Sequence, residues 1–412
     1  MTTTVTTVLN DPRFKAAEAA LQQGYTRFVD ELITLTEIPA PPFKEQRRAA
    51  AYLKMMIDAG LDDAFIDDIG NVCGVLRGGH NAGHVAVAAH LDTVFPEGTD
   101  VTVRREGTRL FAPGVGDDTR GLATNLNMIR ALIAAGIRPA RSILFVGDVG
   151  EEGKGDLRGI RHLFEQGPFK GQIEAFVGVD GDQTARIVNQ AVGSLRYRVT
   201  FRGPGGHSFG AFGVVNPAYA MAAVLTGLSQ LHLPTEPKTT ATPSVFGGGT
   251  SVNATPEAVW FELDLRSVSA TELTRIDRAF RALLDQAVAA ENARGQTHAG
   301  VISVELQNIG NRPAGLCDPA SDIVAASLEA ARAPPSLEAA RAYGFDAELR
   351  ASSTDANIPI SLGVPAVCMG HGADDNTRAH SLEENIDVAE DKVMRSQSAI
   401  LATILAVAGI AE

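Results

Sequence analysis

Three stretches, VAVAAH (Val85–His90), SILFVGDV (Ser142–Val149) and AFVGVD (Ala175–Asp180), are nearly continuously apolar rather than alternating. A strand reads this way when both of its faces are covered, as in a parallel sheet sandwiched between helices. Between the first two runs, Leu122, Leu126, Ile129 and Ile133 recur at helical spacing, and Gly136 supplies a stop. Strand, helix, strand in this order predicts an α/β core with a mostly parallel sheet and crossover helices.

The middle of the chain follows another rule. LRYRVTFRG (Leu195–Gly203) and VWFELDLRS (Val259–Ser267) alternate apolar with polar residues, the pattern of strands with one wet face. Asn216 followed by Pro217 marks one helix start, and a second helix is predicted over about 270–293. Further strands near Thr242–Gly247 and in VISVELQNI complete strand, helix, strand, strand, helix, strand, the ferredoxin-like order. Residues 193–310 are therefore expected to form an inserted α+β domain, with 1–192 and 311–412 as the two parts of the core. VPAVCMG (Val364–Gly370) reads as a buried strand that returns to that core. A local duplication, SLEAARA at Ser327–Ala333 and again at Ser336–Ala342, is too short to signal a solenoid.

At 412 residues the chain exceeds the size of a single hydrophobic core, which agrees with an insertion. The 36 basic and 49 acidic residues leave a net charge of −13, which supplies no broad positive surface for nucleic acid or an anionic membrane. Small molecules are the expected partners. The three cysteines, Cys73, Cys317 and Cys368, are dispersed and odd in number, so they predict buried thiols in a reducing compartment. The first residues lack a signal-peptide pattern and no apolar run reaches membrane-span length, so a cytoplasmic location is expected.

The chemistry-bearing residues gather at strand ends. His90 and Asp92 close the first apolar run, Glu151 and Glu152 follow the second, and Asp180 ends the third. The carboxyl edge of such a sheet is where α/β proteins hold ligands. Asp117 and Asp118 sit in the glycine-rich turn GVGDDTRG, and His380 follows the last buried run. Histidines and carboxylates without thiolate suit zinc, cobalt or manganese.

Taken together, LTEIPAPPFKEQRRAAYL, AAHLDTV, GVGDDTRG, GDVGEEG, GPGGHS, GGTSVNATPE, ELDLRS, SSTDANIP and AHSLEENI resemble the dinuclear zinc hydrolases that include peptidase T, carboxypeptidase G, acetylornithine deacetylase and succinyl-diaminopimelate desuccinylase. The resemblance spans nearly the whole chain. It implies two divalent ions per subunit: one held by His90 and Asp180, a second by Glu152 and His380, with Asp117 bridging them. It implies that Glu151 is the general base, that Asp92 accepts the proton of the second His90 ring nitrogen and that His207 polarises the scissile carbonyl, often across a homodimer. Asn253 and Arg266 match substrate-holding positions. It also leads to the expectation of a cis peptide at Asp117–Asp118.

Asp180, an aspartate where carboxypeptidase and deacylase members usually carry glutamate, points by resemblance to cleavage of short peptides, as in di- and tripeptidases or aminopeptidases. The alternatives are an N-acyl amino acid deacylase and, in a different class, a ligand-binding homologue without turnover.

Overall fold

The computed structural model describes residues 4–79, 83–333, 346–372 and 377–411. The chain divides into two compact units: Met1–Ala191 with Leu316–Glu412, and Val192–Gly315.

The first unit is built on a nine-stranded sheet whose central members run in the order Val72–Leu76, Ile143–Asp148, His84–His90, Ile173–Val179, Ala366–Met369, Arg186–Ala191. His84–His90 pairs in parallel with both Ile143–Asp148 and Ile173–Val179, and Ala366–Met369 in parallel with the latter. Val72–Leu76 and Arg186–Ala191 flank this centre as antiparallel neighbours. The absence of alternation in the sequence has its reason here. Every residue of Ile143–Asp148 and Ala366–Met369 is buried, and in His84–His90 all but the first. Helices Thr119–Ala134 and Glu390–Ala408 are themselves buried over most of their length.

Thr119–Ala134 starts directly after the Asp117–Asp118 pair, and the peptide bond joining these two residues is cis. A Cβ on Gly121, in the first turn, would lie 2.3 Å from both Asp118 Oδ1 and the Val179 carbonyl, so only glycine lets the helix approach the sheet here. The helix closes at Gly136, which adopts φ +63°.

The second unit pairs four antiparallel strands in the order Thr239–Gly248, Ala258–Ser267, Gly193–Arg202, Ser303–Arg312. Helices Pro217–Ser229 and Ala270–Arg294 complete the ferredoxin-like arrangement. Residues of Ala258–Ser267 alternate between buried and half-buried, and Phe261, Leu263 and Leu265 join Val199, Phe201, Ile276 and Phe280 in a separate core. Asn216 caps the first helix by accepting from the Ala218 N–H, with Pro217 in the first turn. Ser269 caps the second through the Glu272 N–H.

The three cysteines are free and buried. Among the described residues, no helix is long and apolar enough to cross a membrane. The first SLEAARA copy lies on helix Asp322–Arg332 and the residue after it, and the second lies outside the described residues.

Candidate metal centre

The carboxyl edge of the first unit's sheet collects the residues that the sequence singled out there. His90 ends its strand with Nε2 2.9 Å from Asp117 Oδ1, and the other oxygen of Asp117 lies 2.9 Å from His380 Nε2. His380 Nε2 is also 2.8 Å from Glu152 Oε1. Asp117 thus turns one oxygen to each histidine, between two groups of donors. His90, Asp117 and Glu152 offer atoms close enough to share an ion, as do His90, Asp118 and Asp180. His380 holds its place in the left-handed region, at φ +63°, a conformation uncommon for histidine.

Asp92 occupies a different position from the one expected. The strand ends at His90, and the His90 Nδ1 contacts the backbone carbonyl of Asp92 at 2.9 Å rather than its carboxylate, which is 3.7 Å away. The carboxylate instead accepts the Glu151 N–H at 3.0 Å and the Glu152 N–H at 2.9 Å. It therefore fixes the turn that carries both glutamates.

Further buried residues, to which the sequence reading gave no role, complete the centre. Asp118 Oδ2 accepts the His90 backbone N–H at 3.0 Å. Glu384 accepts the N–H groups of Gly114, Gly116 and Asp117 at 2.8–2.9 Å and so grips the whole bridging loop. Asp148 ends the buried strand beside His90, and Asp355 of SSTDANIP is buried within range of its charge. His371 Nε2 lies 3.3 Å from Asp118 Oδ1, while burial and the nearby Arg120 lower its pKa to about 3 and keep the ring neutral.

So much buried carboxylate is electrostatically costly without positive charge beside it. Burial, reinforced by neighbouring acids, raises Glu152, Asp148 and Glu384 to about 7, and pushes Asp118, Asp180 and Asp355 well above the usual carboxylate range. Burial also opposes charge on Asp117, but its bonds to His380 and His90 prevail and hold it far below that range. Hydrogen bonds that the His380 ring donates to the Asp117 and Glu152 carboxylates raise its pKa to about 11. Imidazole nitrogens interleaved with carboxylate oxygens, and no thiolate, form a donor set that fits divalent zinc, cobalt or manganese.

His207, Asn253 and Arg266 belong to the second unit. His207 pairs with Ala254 in a short ribbon, where the Ser208 N–H donates to the Asn253 carbonyl at 2.9 Å. The His207 Nδ1 accepts the Phe209 and Gly210 N–H groups, each at 3.2 Å. Arg266 donates through Nε to Asp264 at 2.8 Å.

A histidine and carboxylate centre at the carboxyl edge of a mostly parallel sheet, with an inserted ferredoxin-like unit, defines a metal-dependent hydrolase of amide bonds. The chain belongs to the peptidase family M20/M25/M40, whose family model matches residues 86–406. No curated protein matches the chain. Among solved structures, the aminopeptidase PepT from Bacillus cereus is similar at 21% identity and TM-score 0.71, over 93% of this chain and 99% of that one. A tripeptidase from Staphylococcus aureus is similar at 20% identity and TM-score 0.73, over 93% and 98%. The Bacillus subtilis YXEP protein, a dinuclear metal-binding peptidase of the M20 family, is similar at 17% identity and TM-score 0.63, over 94% and 99%. At these identities the likeness is one of fold.

Proposed function

We propose that the protein is a dinuclear metallopeptidase of short peptides, acting as a di- or tripeptidase or an aminopeptidase. The observation that carries this reading is the Asp117 carboxylate, with one oxygen facing His90 and the other facing His380 and, through it, Glu152. In this reading His90 and Asp180 hold one ion, Glu152 and His380 hold the other, and Asp117 serves both. The ions are zinc, with cobalt or manganese as substitutes. When bound, they supply Lewis-acid chemistry, making water a nucleophile near neutral pH and polarising the scissile carbonyl.

The remaining steps belong to the chain itself. Glu151 takes a proton from the attacking water and returns it to the leaving amine. Asp92 holds Glu151 and Glu152 in register by accepting both of their backbone N–H groups. His207 donates to the oxyanion as it forms, and its Nδ1, occupied as an acceptor, fixes the tautomer with the proton on Nε2. Asn253 and Arg266 hold the substrate, Arg266 being suited to a carboxylate.

The inserted region 193–310 serves as lid and dimerisation domain of a cytoplasmic homodimer, with 1–192 and 311–412 as the catalytic part. The preference for peptides follows from aspartate at position 180, as argued from the resemblance. The test is turnover of dipeptides, tripeptides and N-acyl amino acids by protein stripped with chelator and reloaded with zinc, cobalt or manganese. Peptides should give the highest kcat/KM. A higher value on N-acyl amino acids would make the protein a deacylase, and saturable binding without turnover would make it a ligand-binding homologue.

A further inference from the structure

Arg48 stands in the first turn of helix Gln46–Asp58 and is fully buried. Its Nε donates to the Ile38 carbonyl at 3.0 Å, Nη1 to the Leu91 carbonyl at 2.8 Å and Nη2 to the Thr36 carbonyl at 3.4 Å. All three acceptors are neutral. A buried charge given only neutral partners is costly, and the amino end of a helix disfavours a cation as well. Thr36 closes helix Tyr25–Thr36, so the guanidinium does cap that helix's carboxyl end. A neutral amide could also donate to such carbonyls, without the cost of burying a charge.

The charge finds its counterpart in two acids of the metal centre. Burial lowers the Arg48 pKa to about 10, against the pull of Asp92 and Glu384, so the group is a cation at neutral pH. These two acids share an unusual task. Asp92 accepts the Glu151 and Glu152 N–H groups, and Glu384 accepts those of Gly114, Gly116 and Asp117. Each is buried, and each grips through backbone N–H groups a loop that carries an ion ligand. Neither carboxylate is itself a ligand in the reading above. Arg48 is thus a buried cation whose charge reaches both grips, while its Nη1 holds the carbonyl of Leu91, the residue between His90 and Asp92.

We propose that Arg48 is a positioning residue for the metal centre: its fixed positive charge balances the two loop-gripping carboxylates, Asp92 and Glu384, while its fork fixes the Leu91 carbonyl. The centre then keeps its shape before any ion arrives. This rests on the dinuclear reading of the site and is independent of the peptide substrate.

The test compares Arg48→Lys, which keeps the charge, with Arg48→Gln, which keeps hydrogen-bond donors and loses it. In chelator-stripped protein, Arg48→Gln should speed amide hydrogen exchange in both 114–118 and 150–153, segments to which Arg48 makes no hydrogen bond. Its zinc affinity, measured by competition with a chromophoric chelator, should fall about 10–100-fold, the loss typical when a group that orients ligands is removed. Arg48→Lys should restore both properties to near wild type. Simple attraction predicts the opposite sign, because removing a cation leaves a more negative site, so tighter zinc binding by Arg48→Gln would overturn the proposal. So would an Arg48→Lys as impaired as Arg48→Gln, which would assign the role to the fork alone. A lower melting temperature with wild-type exchange in both segments and wild-type zinc affinity would reduce Arg48 to a helix cap. Arg48→Met, a second neutral variant that fills the space with an apolar chain, is held to the same outcomes should Arg48→Gln not fold. Wild-type protein that binds no zinc would sink the dinuclear reading, while exchange in the metal-free variants would still judge Arg48.

Discussion

Substituting Asp92 by asparagine tests the reassignment of that residue. Its carboxylate accepts two buried backbone N–H groups, those of Glu151 and Glu152. Asparagine keeps one acceptor oxygen and turns an NH2 group toward the other amide, so one charge-assisted bond is lost and a buried donor is left unmatched. Such bonds are worth about 1.5–3 kcal/mol each. That corresponds to roughly ten- to 150-fold easier local opening of the turn. Because the turn carries Glu151 and Glu152 together, the loss should reach both of their roles. A displacement of about 1 Å in a catalytic group costs on the order of 100-fold in rate. The expected outcome for Asp92→Asn is faster amide hydrogen exchange confined to the 150–153 segment, a fall of kcat on that scale and weaker retention of one ion of the two. Exchange measured by mass spectrometry, metal content by elemental analysis and kcat on a cleaved dipeptide together decide it. Unchanged protection at Glu151 and Glu152 with wild-type kcat would refute the reasoning. A defect confined to the ion at His90 would return Asp92 to the role of orienting that histidine.

Glu151→Gln should keep both ions, by elemental analysis, while losing about 10² to 10⁴-fold in kcat; near-wild-type turnover would place the base elsewhere. Gly121→Ala should lower stability by about 1–3 kcal/mol or more, because its Cβ meets Asp118 and the Val179 carbonyl; an unchanged thermal unfolding curve would contradict that packing. His207→Ala should lose about 2.7–4 kcal/mol of barrier stabilisation, read as kcat, with metal content intact. Mixing it with Glu151→Gln under subunit exchange should restore activity if His207 acts across a dimer, and verified heterodimers without recovery would assign it to its own subunit.

The sheet was legible in sequence because covering both faces removes alternation, which makes VAVAAH and SILFVGDV distinctive even in isolation. The helix start at Asn216–Pro217 was legible for a similar reason, since capping is local chemistry. What stayed hidden depends on chain direction or on long-range partners. Asp92 was expected to accept from the His90 ring, but the strand ends at His90 and the carboxylate accepts the Glu151 and Glu152 N–H groups, partners about 60 residues away that no local pattern marks. Glu384 is bound to backbone N–H groups some 270 residues away, and backbone donors leave no signature in a sequence. Asp148 could have been found by the rule that found His90, since it too is a polar residue closing a buried apolar run. Asp355 lay inside a motif that was recognised without its acid being assigned a task.

The position of Ala366–Met369 has a consequence for how the molecule comes into being. This strand lies between Ile173–Val179 and Arg186–Ala191, which are close in sequence but are joined in the sheet only through it. A ribosome makes the chain from its amino end, so the first part of the sheet emerges with a gap that about 175 further residues must leave open. The unit Val192–Gly315 is continuous and can complete its own sheet during that wait. His380 is made later still, after the missing strand. The centre is therefore assembled last, and nascent chains truncated before residue 366 should protect the inserted unit from protease while leaving the larger one cleavable and unable to retain metal.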